Sequence, residues 1–137
     1  EENRKIRPVA QGLLFGSDLS REAVKIAGKN CASLPFGEKI HWEAVPIENI
    51  TVPEGSLIVC NPPYGMRLGD KKKAALLYRR LGNVLKKQCS GSTAFIYIGD
   101  PLLAREFGMK PSLKRSLPNG PIEGKLCRFD VFPQGHS

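Results

Sequence analysis

The 137 residues suffice for about one domain, and 41% hydrophobic with 25% charged residues is the make-up of a globular chain with a packed core, not of a chain too polar to bury one. The 21 Lys and Arg against 13 Asp and Glu leave a net charge of +8, which favours a polyanionic partner because cations that neutralise phosphates release condensed counterions; a domain that is merely basic has the same balance. No apolar run is long enough to span a bilayer and no secretory signal is present, so Cys31, Cys60, Cys89 and Cys127, none of them in a CxxC spacing, are expected as reduced thiols of a cytosolic protein rather than as zinc ligands.

Apolar runs alternate with helical patterns, which predicts an α/β domain with a largely parallel sheet. The first strand is short, at 13–15, and runs out at Gly16-Ser17-Asp18. A helix over 20–30 follows, with Ser20 as its cap and Ala23, Ile26 and Ala27 at helical spacing. Next come a strand over 40–44, with Trp42 as a core residue or a border to a bound adenine, and a Pro-rich loop. The run over 57–60 is apolar on both faces, as a central parallel strand should be, and stops at Asn61-Pro62-Pro63-Tyr64-Gly65. A helix over 73–87 has Leu76, Leu77, Leu81, Val84 and Leu85 as its buried stripe, and Lys86 and Lys87 suit its C-terminal dipole. A strand over 94–98 and a short helix from Asp100-Pro101 to about 107 follow. The end of the chain predicts an antiparallel pair, 113–117 with 126–132, around Pro118-Asn119-Gly120-Pro121. Asn-Gly signals a turn, and the two flanking prolines widen it beyond a two-residue hairpin. Tyr78, Tyr97, Phe129 and Phe132 are expected to pack. His41 and His136 have no partners at metal-ligand spacing and are expected at the surface or in the tail.

The string Asn61-Pro62-Pro63-Tyr64-Gly65 carries the chemistry. It follows a central strand directly, and open α/β sheets bind ligands outside the carboxyl ends of their strands. An exocyclic amine on a base is a poor nucleophile, because its lone pair is delocalised into the ring. Acceptors placed where the amine hydrogens must point as nitrogen becomes tetrahedral assist the reaction, and the Asn61 side-chain oxygen and the Pro62 carbonyl can supply two. Prolines lack a donor and fix φ, so they hold such acceptors rigidly. Tyr64 offers a flat face for an extruded base, and Gly65 lets the backbone turn. The competing account of these five residues is a Pro-rich turn that merely closes a strand.

These residues resemble a known family. The stretches LLFGSDLSREAVKIAGKN from Leu13, LIVCNPPYGMRLGD from Leu57, LYRRLGNVLKK from Leu77, GDPLLAREFGMK from Gly99 and NGPIEGKL from Asn119 are similar to Rossmann-like class I methyltransferases with an NPPY motif. More closely, they resemble the bacterial large-subunit ribosomal RNA guanine-N2 methyltransferases that carry a THUMP domain. NPPY alone is shared with adenine and protein-glutamine methyltransferases; NPPYGMRLGD followed by the NGP turn is more specific. The resemblance implies a mostly parallel methyltransferase sheet with an antiparallel C-terminal hairpin, S-adenosylmethionine as cofactor, and RNA as partner. It implies that Asp18 accepts hydrogen bonds from the cofactor's ribose hydroxyls, with Leu19 and Asn61 also on the cofactor side, although any Asp there can instead cap helix backbone groups. Asn61, Pro62, Pro63 and Tyr64 match the catalytic amine-binding loop. Tyr64, Arg67 and Asn119 would face the substrate, against the plainer roles of a solvated Arg and a turn Asn. Lys71-Lys72-Lys73 either tracks RNA or is a solvated helix start.

Two departures stand out. The family's glycine-rich cofactor loop, with its strand and helix, is missing ahead of residue 13, and the chain opens on Glu1 in a polar stretch as a piece of a longer one would. The whole of 1–137 is therefore expected to be the C-terminal portion of a methyltransferase catalytic domain. The second departure is Pro46, which falls where an acidic residue should contact the adenine amine, with Glu43 and Glu48 nearby. Without the first strand, those at 13–15 and 57–60 must pair directly, take another chain (a swapped copy included) or keep unsatisfied edges. Two other assignments remain: an enzyme for DNA adenine N6 or protein glutamine, and a non-catalytic RNA-binding fragment.

Overall fold

The computed structural model describes residues 12–63 and 70–133. They divide between Ile50 and Thr51 into two compact units.

In the first unit, β1 (Leu14–Asp18) and β2 (Ile40–Ala44) pair in parallel, from Leu14 opposite Ile40 to Asp18 opposite Ala44. A parallel pair needs a crossover, which α1 (Arg21–Ala32) supplies. β1 runs through Gly16-Ser17-Asp18 instead of stopping there, because the ladder to β2 continues over those residues. Gly16 permits a close approach: the Trp42 ring lies where its Cβ would stand. A methyl on Gly28 of α1 would stand in ordinary contact with the same indole at 3.8 Å, so the close approach that needs a glycine is the one at Gly16. Trp42 is accordingly a packing residue in this unit. Ser20 caps α1, its hydroxyl accepting from the Ala23 N–H at 3.1 Å. Ile26, one of the residues at helical spacing, is exposed.

The second unit contains β3 (Leu57–Cys60), α2 (Asp70–Gln88), β4 (Thr93–Ile98), a 3-10 segment (Pro101–Phe107), β5 (Leu113–Ser116) and β6 (Lys125–Asp130). The sheet order is β3-β4-β6-β5, with β3 and β4 parallel and the other pairs antiparallel. Its core lies on one face. Ala74, Tyr78, Leu81, Val84 and Leu85 of α2 pack with Ala94, Ile96 and Ile98 of β4, Cys127 and Phe129 of β6, and Phe107, all of them buried. Spacings of three and four place those α2 residues on one helical stripe. The expected stripe included Leu76, which is 56% exposed; Tyr78 holds the buried position instead. Phe132, expected to pack, is also exposed.

Three aromatic rings form a column through this core. Tyr78 lies 5.0 Å from Phe107, and Phe107 lies 5.2 Å from Phe129. Gly82 makes the column's approach to α2 tight, since a Cβ there would overlap the Phe107 backbone. The Arg79 guanidinium also reaches Glu106 of the 3-10 segment and holds that carboxyl below its ordinary range.

β3 differs from its expected place. It is an edge of its four-stranded sheet among the described residues, and Leu57 and Val59 are 68% and 75% exposed. Register puts Ile58 beside Ala94 and Cys60 beside Ile96, on the buried face, so only half of this apolar run reaches the core. β1 is likewise an edge of its own pair. Among the described residues, β1 pairs with β2 alone and β3 with β4 alone, and the two do not pair with each other.

All four cysteines are free thiols. Among the described residues, no helix is long and apolar enough to cross a membrane, and no group of three or more His, Cys, Asp or Glu residues is placed to hold a metal ion.

Candidate functional site

The corner after β3 is built from the strand and from α2. Cys60 is the last residue of the ladder, opposite Ile96. Asn61, Pro62 and Pro63 leave the carboxyl end of the strand, with Asn61 exposed, Pro62 buried and Pro63 exposed. The two proline rings fix two φ angles in succession, which removes most of the freedom that such a corner would have. The far end is tied down from below. The Tyr78 hydroxyl donates to the Pro63 carbonyl at 3.1 Å, from a side chain with no solvent exposure. The Asn61 amide is thus presented to solvent from a stiff support, the disposition needed to hydrogen-bond an incoming planar amine. Burial pushes the Cys60 thiol up from its ordinary range, so the neighbouring sulfur is a neutral thiol rather than a nucleophilic thiolate.

Tyr64, Gly65 and Arg67, as well as His136, lie outside the described residues. Lys71, Lys72 and Lys73 form an exposed first turn of α2, where Lys71 Nζ stands 3.9 Å from the Asp100 carboxylate. Asp100 also caps the 3-10 segment by accepting from the Leu102 N–H at 3.0 Å.

Asn119 sits in the connection between β5 and β6. The Asn119 and Ile122 backbones exchange hydrogen bonds of 2.9 and 3.1 Å around Gly120 and Pro121. Gly120 has φ +59, the left-handed conformation that glycine adopts without strain. This small turn is nested in a wider loop closed by Leu117 N–H to the Gly124 carbonyl at 3.0 Å. The Tyr97 hydroxyl donates to the Leu117 carbonyl at 2.7 Å and anchors that loop to β4. Lys125 opposes Ile98, the last residue of β4, so this loop stands at the same end of the sheet as Asn61. β4 lies between them, and neighbouring strands are about 4.8 Å apart.

In the first unit, Asp18 and Leu19 form the bend from the carboxyl end of β1 to the start of α1, both exposed. The Asp18 Oδ1 accepts from the Ser20 N–H at 2.8 Å, and the Asp18 carbonyl accepts from the Val45 N–H at 3.0 Å. The carboxylate thus bonds, through one oxygen, the N–H of Ser20, the residue that itself caps α1, and this bond orients the group. Glu43 lies within β2, opposite Ser17, with its Oε1 3.0 Å from His41 Nε2. Pro46 leads into the exposed turn that carries Glu48.

Asp18 and Leu19 thus belong to one unit, and Asn61, Pro62, Pro63 and Asn119 to the other. Tyr78 is the residue of the corner that sequence reasoning took for packing alone. The one available signal was a tyrosine in a helix's apolar stripe, since a buried phenol needs a hydrogen-bond partner.

The family model for the RMKL-like methyltransferase domain matches residues 1–128. The ribosomal RNA large subunit methyltransferase K/L of Syntrophotalea carbinolica is 33% identical over 126 residues, which cover 88% of this chain and 18% of that protein. A crystal structure of a possible methylase from Clostridium difficile 630 superposes with a TM-score of 0.83 at 26% identity, over 98% of this chain and 36% of the other. The crystal structure of SMU.472 complexed with SAH superposes with a TM-score of 0.75 at 26% identity, over 90% and 32%. The chain spans a third or less of the length of the curated relatives that it matches first.

Proposed function

This chain belongs to the RMKL-like methyltransferase domain family, and from that premise we propose that the protein is an S-adenosylmethionine-dependent methyltransferase acting on the exocyclic N2 amine of guanine in large-subunit ribosomal RNA. The observation that carries this reading is the solvent-facing Asn61 on a two-proline corner at the carboxyl end of a parallel strand. The net charge of +8 and the RNA named for the K/L relative support a polyanionic substrate. The family model over residues 1–128 and the partial cover of the K/L relative support residues 1–137 as part of a methyltransferase catalytic domain. The open edges of β1 and β3 would then receive a strand from elsewhere in the polypeptide or from a second copy.

The residues present fit the cofactor. Asp18 is an exposed carboxylate at a strand's carboxyl end, with one oxygen already oriented by the Ser20 N–H and the group as a whole able to accept from a ribose diol. When bound, the cofactor supplies an electrophilic methyl group on a sulfonium. Asn61 Oδ1 and the Pro62 carbonyl accept the two amine hydrogens and favour a tetrahedral nitrogen whose lone pair can take that methyl. They also stabilise the positive charge that develops on nitrogen before a proton departs to solvent. Tyr64 stacks on the base, Arg67 and Asn119 contact the RNA around it, and Leu19 lines the cofactor side.

The full-length protein, given methyl-labelled S-adenosylmethionine with unmodified large-subunit ribosomal RNA, duplex DNA or a release factor, should label the RNA and yield N2-methylguanosine on digestion. Label in DNA or protein instead, or in no acceptor, would overturn the assignment. Asp18→Asn tests the cofactor role separately. It keeps an acceptor for Ser20 but loses the charge, so the calorimetric Kd for S-adenosylmethionine should rise at least about tenfold, the loss expected for one hydrogen bond to a charged group. An unchanged Kd would leave Asp18 with only its bond to the Ser20 N–H.

A further inference from the structure

We propose that Tyr78 is a positioning residue for the amine-binding corner, acting through its hydrogen bond to the Pro63 carbonyl. The inference rests on the reading of Asn61 and Pro62 as acceptors for a base amine. It assigns a task to a residue that helix packing alone does not explain.

The corner has two ends. At the near end, Cys60 is fixed by the ladder to β4. At the far end, the Pro63 carbonyl is fixed by the Tyr78 hydroxyl at 3.1 Å. Between them, two φ angles are locked by proline rings, so few torsions are left with which Asn61 and the Pro62 carbonyl can drift. The hydroxyl is itself immobile. The Tyr78 ring has no exposed surface and leans on Phe107, which leans on Phe129 of β6, at 5.0 and 5.2 Å. A rigid column thus runs from the far side of the sheet's buried face up to the corner.

Positioning is distinct from plain stabilisation. Pro63 is exposed as a residue but its hydrogen bond to the Tyr78 hydroxyl is part-buried, so removal of the hydroxyl is expected to cost stability as well, and a control of matched stability separates that cost from lost positioning. What positioning adds is the fixed direction of the bond. A displacement of about 1 Å in a catalytic group is enough to lower a rate by about 100-fold.

The test compares full-length wild type, Tyr78→Phe, Asn61→Ala and Val84→Ala, the last a buried α2 residue outside the column that serves as a control for loss of stability. Each is assayed for methyl transfer to unmodified large-subunit ribosomal RNA, with kcat and KM separated and the melting temperature recorded. Tyr78→Phe should lose about tenfold or more in kcat, with KM for RNA and cofactor within about twofold, while Val84→Ala keeps its kcat despite an equal or larger drop in melting temperature. A Tyr78→Phe rate within twofold of wild type, with Asn61→Ala inactive, overturns the positioning role and leaves the amine-binding reading intact. Equal kcat losses in Tyr78→Phe and Val84→Ala at matched stability also overturn it. An Asn61→Ala protein at the wild-type rate, or a wild type that does not methylate the RNA, removes the amine-binding reading and the positioning role with it.

Discussion

Replacing Asn61 by Ala in the full-length protein should lower kcat by about 100- to 1,000-fold, with little change in KM and almost none in stability. The magnitude follows from the kind of interaction lost. A preorganised group aimed at charge that develops only in the transition state is worth about 10²–10³ in rate when removed singly. Because the interaction strengthens as nitrogen becomes tetrahedral, its loss appears in kcat rather than in ground-state binding. The stability side follows from exposure. Asn61 is exposed and lies beyond the end of β3, so truncation opens no cavity and orphans no buried partner. Substitutions of that kind change stability by within about 0.5 kcal/mol. Asn61→Asp should fall between Ala and wild type, since a carboxylate keeps an acceptor at the same reach but adds a charge that must be desolvated near the base. Single-turnover kinetics with saturating RNA and cofactor measure this directly. A kcat for Asn61→Ala within threefold of wild type would mean that the corner closes a strand and does nothing more.

Local and non-local information account for which parts of this protein were legible in its sequence. The bounds of β2 and β3 coincide with the alternating stretch at 40–44 and the apolar run at 57–60, because turn-forming residues follow both. The cap of α1 at Ser20 is equally local, a side chain meeting a backbone N–H three residues on. β1 is different. Its end at Asp18 is set by how far β2 runs beside it, which no property of Gly16-Ser17-Asp18 reveals. The exchange of Leu76 for Tyr78 on the buried stripe of α2 has the same origin. Helical periodicity gives a stripe of the right width, and the position of the Phe107 backbone against Gly82 decides its centre. β3 shows the converse. A run apolar on both faces predicts a central strand, yet it is an edge with Leu57 and Val59 in solvent among the described residues. Within the candidate site, the corner of Asn61 and the two prolines was legible because it consists of adjacent residues directly after a strand. The bond from Tyr78 to Pro63 was not, since it joins two elements 15 residues apart.

Phe107→Ala should be among the most damaging single truncations in the second unit, at about 3–5 kcal/mol. Phe107 is 1% exposed and lies between two other rings, Tyr78 on one side and Phe129 on the other. Burial of a large apolar side chain, its two ring–ring contacts, each worth about 0.5–1.5 kcal/mol beyond area, and the cavity left behind all act in the same direction. Whether the loss reaches the top of the range depends on how far the surroundings can close in. They can close little. The Phe107 backbone already rests on Gly82 of α2, so the 3-10 segment cannot move inward. The segment is also held at both ends, by the Asp100 cap at its start and by Gly108 in a left-handed conformation, φ +65, at its end. A cavity that persists costs about 24 cal/mol per Å³, which favours the upper half of the range. Phe107→Leu fills much of that space and keeps the apolar character, so its penalty should be less than half as large. In a cooperative unit of 150–250 residues each kcal/mol still corresponds to about 2–4 °C, so thermal unfolding of the full-length protein followed by near-ultraviolet circular dichroism should show a transition lowered by at least about 6 °C for Ala. An Ala variant that melts within 4 °C of wild type would show that the ring column is not what holds α2 to the sheet, and the rigid support inferred for the corner at Pro63 would lose its foundation.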